Sequence, residues 1–110
     1  MSISIKGFNE KYITLLAGES CTVGSPVNII ANDTAADCTS GAFAGICAAK
    51  EGDLALVQVT GSVTIPADSG LTVGTAQVVA AAGGKVNAGT GGRWAIVASV
   101  QDGVAEMILL

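Results

Sequence analysis

Two short segments of this chain repeat with the same neighbours in the same order, and this repeat constrains the fold more than any other feature. Residues 22–25 read TVGS and, fifty positions later, residues 72–75 read TVGT. Each is followed by an apolar segment, a polar loop, an aromatic-led apolar segment, an acidic residue beside a glycine, and a last apolar segment. This order indicates one structural unit used twice, and neither half is large enough to bury a core alone.

The later blocks of the two halves align with an offset of 51, residues 43–59 with residues 94–110. This alignment pairs Phe43 with Trp94, which predicts that both aromatic rings anchor the core. It also pairs Glu51-Gly52 with Asp102-Gly103. An acidic residue beside a glycine is typical of a tight hairpin turn that needs a positive φ.

Short runs rich in Val, Ile and Thr, separated by glycine-containing turns, predict strands throughout the chain. We therefore predict an all-β fold, a small β-barrel or sandwich built from two pseudo-repeated units, about 12–61 and 62–110, that share one compact core. The Ala-rich segment 76–84 is where a helical turn competes with a strand. The predicted strands are 12–16, 27–31, 42–48, 54–60, 63–65, 77–81, 94–100 and 104–110.

Residues 1–11 precede the first unit and have no counterpart in the second. Ile3 and Ile5 alternate with serines, and Lys6 and Phe8 follow. Alternating apolar residues with free backbone groups suit strand addition to a neighbouring subunit, so we predict an extended N-terminal arm. The alternatives are a frayed terminus and an edge strand of the chain's own domain.

The sequence shows no recognisable set of catalytic residues. The chain has no histidine, which removes the commonest general base and the Ser-His-Asp and Cys-His arrangements. The Gly-rich segment 81–93 does not match a phosphate-binding loop, because Lys85 is followed by Val86 where Ser or Thr is needed. We therefore expect no enzyme activity, no cofactor and no metal site.

Charge is low and dispersed. Only 13% of the residues are charged, the net charge is −4, and the five basic residues form no cluster. A direct nucleic-acid binder or a protein held on an anionic membrane needs clustered Lys and Arg, so neither partner is expected. No apolar segment approaches the ~20 residues of a membrane helix, and synthesis in the cytosol is expected. Low charge favours a surface partly covered by an oligomer or a partner.

Three cysteines, Cys21, Cys38 and Cys47, show no metal-binding spacing. The repeat pairs Cys21 with Leu71 and Cys47 with Ala98, which predicts that both are small buried hydrophobes. Cys38 lies in a polar loop and is predicted to be accessible. Two states stay open: three reduced thiols, or a disulfide between subunits through Cys38.

Three passages together resemble the small capsid decoration, or cement, proteins of tailed bacteriophages. They are LLAGESCTVGSPVNII at 15–30, AFAGICAAKEGDLALVQVTGSVTIPADSGLTVGTAQVV at 42–79, and the closing VAEMILL at 104–110. The resemblance covers about residues 12–110, so the arm lies outside the matching pattern, and the three cysteines are a departure from that pattern.

The resemblance implies a non-enzymatic virion protein that binds the outer surface of an assembled capsid and bridges its major capsid proteins. The implied partners are the major capsid protein and further copies of the chain, as a homotrimer in the first place and a dimer as the alternative. The candidate contacts with the capsid or a neighbouring subunit come from the predicted arm: Ile3, Ile5, Lys6 and Phe8. The runner-up is another virion component, such as a head-fibre base or a tail protein. A biotinyl or lipoyl carrier domain and a small enzyme are weaker alternatives, because the connection 60–70 has no lysine and no catalytic set is present.

Overall fold

The computed structural model describes residues 7–110, and within them the chain is all-β, with no helix. This confirms the predicted fold class and removes the helical turn considered for residues 76–84. None of the described residues forms a helix long and apolar enough to cross a membrane. The nine strands are β1 Lys11–Ala17, β2 Pro26–Ala31, β3 Thr34–Asp37, β4 Gly45–Glu51, β5 Leu54–Pro66, β6 Gly74–Ala81, β7 Lys85–Ala88, β8 Arg93–Gln101 and β9 Val104–Leu109.

The N-terminal unit is a closed five-stranded barrel. Its strands run in the order β1-β3-β2-β4-β5, and β1 also pairs with β5, which closes the ring. The β1–β3 pair is parallel, whereas the other pairs are antiparallel. Closure leaves this small unit without the two free edges of an open sheet.

The C-terminal unit repeats this arrangement with β5, β9, β8, β6 and β7. The second half of β5 takes the place of β1, so one long strand serves both units. Ile13 pairs with Val57 in the first unit, and Val63 pairs with Met107, fifty positions on, in the second. The parallel β1–β3 pair is matched by a single parallel bridge between Ala67 and Val86.

The structure corrects the alignment of the two halves. The pairs Ile46–Gln58 and Ile96–Ile108 are equivalent, which sets an offset of 50 for the closing hairpins instead of 51. The one-residue difference in offset lies in the preceding hairpins, because β2–β3 and β6–β7 match at an offset of 51. At an offset of 50, Gly52 corresponds to Asp102, and both have positive φ angles, 57° and 53°.

Three strand predictions were wrong. β3 and β7 were expected to be loops, because their short sequences, TAAD and KVNA, lack a run of β-branched residues. Pairing with β2 and β6 makes them strands. Two separate strands were expected on either side of Gly61, but β5 continues through it, because its first half pairs with β4 and its second half with β9.

The expected single core is also wrong, because the buried side chains form two clusters. Seven residues fill the N-terminal barrel: Leu15, Cys21, Val27, Ala35, Cys47, Ala55 and Val57. The larger cluster fills the C-terminal unit and includes Met107, Val78 and Ile65. Phe43 and Ile46 of the N-terminal unit belong to this second cluster. Side chains of the N-terminal unit therefore pack into the core of the C-terminal unit and join the two units.

Phe43 and Trp94, expected to be equivalent core residues, differ completely. Phe43 is 4% exposed, whereas Trp94 is 54% exposed. At the corrected offset Phe43 corresponds to Arg93 and not to Trp94. Phe43 lies on the loop between β3 and β4, which reaches the C-terminal unit, where the Ala80 N–H donates to the Gly41 carbonyl at 2.8 Å.

Candidate functional site

The root of the N-terminal arm is fixed to the middle of β5. The Ser62 N–H donates to the Phe8 carbonyl at 2.9 Å, and the Thr60 hydroxyl donates to the Asn9 carbonyl at 3.3 Å. These contacts lie where β5 passes from one unit to the other. Of the predicted arm contacts, Phe8 is 58% exposed, and Ile3, Ile5 and Lys6 lie outside the described residues.

The carboxylate of Glu10 organises this root. It accepts hydrogen bonds from the Tyr12 hydroxyl and from the Ser62 hydroxyl, the latter at 3.2 Å. The Tyr12 hydrogen bond is the main cause that lowers the pKa of Glu10 below 4.5, and the same bond raises the pKa of Tyr12 above 10. Glu10 is therefore ionised at neutral pH.

A groove of about 250 Å³ runs beside the arm root at the junction of the two units. Its polar lining comes from Glu10, Gln58, Ser62, Thr64 and Glu106. The Gln58 amide is occupied, because its Nε2 donates to the carbonyls of Thr60 and Ser62 at 3.1 and 2.8 Å. A carboxyl that donates a proton in catalysis needs a raised pKa, and that of Glu10 is lowered.

Large apolar side chains remain on the surface of both units. Fourteen of them are exposed among residues 7–110. Three of the fourteen, Trp94, Ile96 and Leu110, lie with the partly buried Ile108 on the outer side of the last hairpin, which we call the β8–β9 face. Ile96 and Ile108 are directly opposite each other, and the Leu110 N–H donates to the Trp94 carbonyl at 3.1 Å. An apolar sheet face of this kind is a candidate interaction surface.

The β8–β9 face has a covered counterpart in the N-terminal unit. Ile96 and Ile108 correspond to Ile46 and Gln58, which are each 7% exposed. Ile46 is covered because it packs into the core of the C-terminal unit. Ile96, the counterpart in the C-terminal unit, is 43% exposed.

The surface that would receive such a contact is likewise open in the N-terminal unit. Val63 and Ala80, which lie in the cluster that receives Phe43 and Ile46, are 8% and 3% exposed. Their counterparts by strand pairing, Ile13 and Ile29, are 40% and 50% exposed. Each unit thus exposes the counterpart of a surface that is buried where the two units meet. Ile96 is exposed on the C-terminal unit, and Ile13 and Ile29 are exposed on the N-terminal unit.

Cys38, predicted to be accessible, is half-buried. Its side chain packs against the core of the C-terminal unit, and its Sγ donates to the Ser40 and Ala42 carbonyls at 3.2 and 3.5 Å. It therefore helps to hold the loop that carries Phe43. Its role in a disulfide between subunits stays a prediction. Within residues 7–110, no group of three or more acidic or cysteine side chains is placed to hold a metal ion.

Sequence reasoning missed the β8–β9 face and the residues that hold the arm. Trp94 was assigned to the core because the alignment was one residue out of register. Gly61 and Ser62 fell between two predicted strands, 54–60 and 63–65. The signal for Gly61 was its position midway between two apolar strand runs, at the boundary of the two halves.

No protein-family model matches this chain, and a search of curated proteins finds no match.

Proposed function

We propose that this protein is a non-enzymatic decoration protein that binds the outer surface of a tailed-phage capsid and stabilises it by bridging major capsid subunits. The observation that carries the proposal is the apolar surface of a low-charge, all-β chain, which exposes fourteen large apolar side chains among residues 7–110. The resemblance of residues 12–110 to capsid decoration proteins supports the same function.

Binding to a capsid fits the physical properties of the surface. Many copies on one shell sum weak individual contacts into a large stabilisation. A site formed by several major capsid subunits in their mature arrangement would favour the expanded head over its precursor, because the ligand shifts the population toward the state it binds better. A head-fibre base or tail component is the second candidate, because it would use the same exposed apolar side chains to bind other virion proteins.

Self-association is the second part of the proposal, as a homotrimer. The β8–β9 face of one copy would meet the exposed Ile13 and Ile29 of the next, continuing between copies the contact that joins the two units within a chain. Such a head-to-tail contact closes into a ring when the rotation allows it. Three copies would then present six units around one axis.

The prediction for self-association uses Ile96→Glu. A carboxylate at the centre of the β8–β9 face should weaken association by about tenfold to a hundredfold, since an apolar contact worth about 1.5–3 kcal/mol is replaced by a charge that must be desolvated. Light scattering coupled to size exclusion measures the mass. Leu56→Glu is the matched control, because Leu56 is 38% exposed and its counterpart in the C-terminal unit is already Glu106. Equal masses for wild type and Ile96→Glu would contradict this interface.

Capsid binding is tested by co-sedimentation with purified expanded heads. The intact protein should pellet with the heads, and a variant that lacks residues 1–11 should bind about tenfold more weakly if the arm contributes a strand or an apolar anchor. Failure of the intact protein to pellet would contradict the decoration function. Equal binding by the truncated protein would contradict only the role of the arm.

A further inference from the structure

Two of the three thiols lie next to each other inside the N-terminal barrel. The Sγ atoms of Cys21 and Cys47 are 3.9 Å apart, and the residues are 4% and 1% exposed. Neither position keeps a cysteine in the C-terminal unit: at the corrected offset their counterparts are Leu71 and Val97, both buried. The pair is therefore specific to one of two otherwise similar cores.

The backbone holds these two residues together independently of their side chains. The segment after Cys21 is hydrogen-bonded to Cys47 on both sides: the Gly24 N–H donates to the Cys47 carbonyl at 2.7 Å, and the Cys47 N–H donates to the Ser25 carbonyl at 3.0 Å. At the end of this segment next to Cys21, the Thr22 N–H donates to the Asp37 carboxylate at 2.8 Å. The loop that carries Cys21 is thus anchored beside β4.

The strand that carries Cys47 is irregular beside the thiol. The β4–β5 pairing shifts register between Cys47 and Ala49, as at a β-bulge. A bulge disrupts the ladder locally and bends its strand. To form a disulfide, the two sulfur atoms must approach from 3.9 Å to about 2.05 Å.

We propose that Cys21 and Cys47 form an intramolecular disulfide that cross-links the N-terminal barrel when the protein meets an oxidising environment. The oxidant is a small-molecule disulfide. One cysteine thiolate attacks it, forms a mixed disulfide and releases one small thiol; the second cysteine thiolate then displaces the other small thiol. The two cysteines together lose two electrons and two protons, and one small disulfide becomes two thiols.

Burial controls when this reaction occurs. Burial, with a smaller contribution from the neighbouring Cys21, raises the pKa of the Cys47 thiol to about 11, so at neutral pH Cys47 stays protonated and unreactive in the closed barrel. Exchange therefore proceeds during folding or local opening. The cross-link removes conformational freedom from the unfolded chain, and so it stabilises the folded barrel. It also leaves Cys38 as the odd thiol.

The pairing can be read directly by mass spectrometry. Cleavage before aspartate places Cys21 in fragment 1–32 and the other two cysteines in fragment 37–52. The full-length Cys38→Ser variant, equilibrated with oxidised glutathione and then alkylated, should show no alkylated thiol and one disulfide joining these two fragments. Wild type treated in the same way should keep one alkylated thiol, on Cys38. Two free thiols in Cys38→Ser, or a wild-type disulfide that joins Cys38 to Cys21 or to Cys47, would overturn the proposal.

Thermal unfolding provides a second readout. Oxidised Cys38→Ser should unfold at a higher temperature than its reduced form, whereas Cys21→Ala and Cys47→Ala should show no difference between oxidising and reducing buffer. The comparison is made within each variant, so a variant that folds less stably remains informative. Identical unfolding temperatures for oxidised and reduced Cys38→Ser would contradict a stabilising cross-link.

Discussion

Phe43→Ala is expected to lower the free energy of unfolding by about 3–5 kcal/mol, the range for removing a buried aromatic ring. Phe43 is 4% exposed and lies in the core cluster of the C-terminal unit, although it belongs to a loop of the N-terminal unit. Its loss leaves a cavity where the two units meet. For a chain of this size the melting temperature should fall by about 10–20 °C.

The measurement is denaturant unfolding, with Phe8→Ala as the matched control. Phe8 is 58% exposed, so the same chemical change there should cost less than about 0.5 kcal/mol. Hydrogen exchange locates the effect: the Ala80 amide, bonded to the Gly41 carbonyl, should exchange faster in Phe43→Ala. Equal stability of the two variants would show that this loop does not seal the C-terminal core.

Gly61→Ala is expected to release the root of the arm and to destabilise the protein by about 2–3 kcal/mol, from backbone strain and overpacking. Gly61 has a φ of +96°, which side chains rarely adopt. A Cβ there would also press against the carbonyl of Asn9, closer than real contacts allow. Because the Asn9 carbonyl is part of the backbone and the Cβ is fixed to the backbone of residue 61, one of the two segments must move.

Gly103→Ala distinguishes the two causes of destabilisation, backbone strain and overpacking. Gly103 also has a positive φ, +75°, but a Cβ there would meet open space, so only the strain of about 1 kcal/mol remains. Exchange of the Ser62 amide, which donates to the Phe8 carbonyl, measures release of the arm. It should speed up in Gly61→Ala and stay unchanged in Gly103→Ala. An unchanged Ser62 amide in Gly61→Ala would contradict the assigned anchor.

The repeat could be recognised from the sequence because both halves keep the same order of turns and apolar runs. The register of the repeat could not be recognised, because the offset changes by one residue in the hairpins around β3 and β7. These hairpins consist of small residues, and the two halves share no side-chain pattern there. A shift of one residue moves a strand's side chains to the opposite face. That single shift placed Trp94 in the core, although it lies on the surface at 54% exposure.

The candidate site was less predictable than the fold for a physical reason. The arm root and the Cys21–Cys47 pair depend on contacts between distant parts of the chain. Cys21 and Cys47 are 26 residues apart and meet only because β4 pairs with the segment after β1. Absence of histidine and dispersed charge, by contrast, are properties of composition, and the expectations drawn from them needed no fold.

The duplication suggests how a small chain can take part in a large assembly. Within one chain, Ile46 is covered by the second unit, whereas its counterpart Ile96 is exposed. A duplicated unit therefore carries an open contact surface at each end. Decoration of a capsid would use such surfaces many times, so modest contacts in each copy suffice.

The most direct test of the proposed function is the number of copies bound by expanded heads that lack the protein. Heads are titrated with the intact protein, and the bound copies are counted against the major capsid protein by quantitative gel densitometry. We predict saturable binding at a fixed ratio set by one class of capsid symmetry site, with little binding to unexpanded heads. Absence of binding, or binding that rises without saturation and equally on both kinds of head, would contradict a capsid decoration protein.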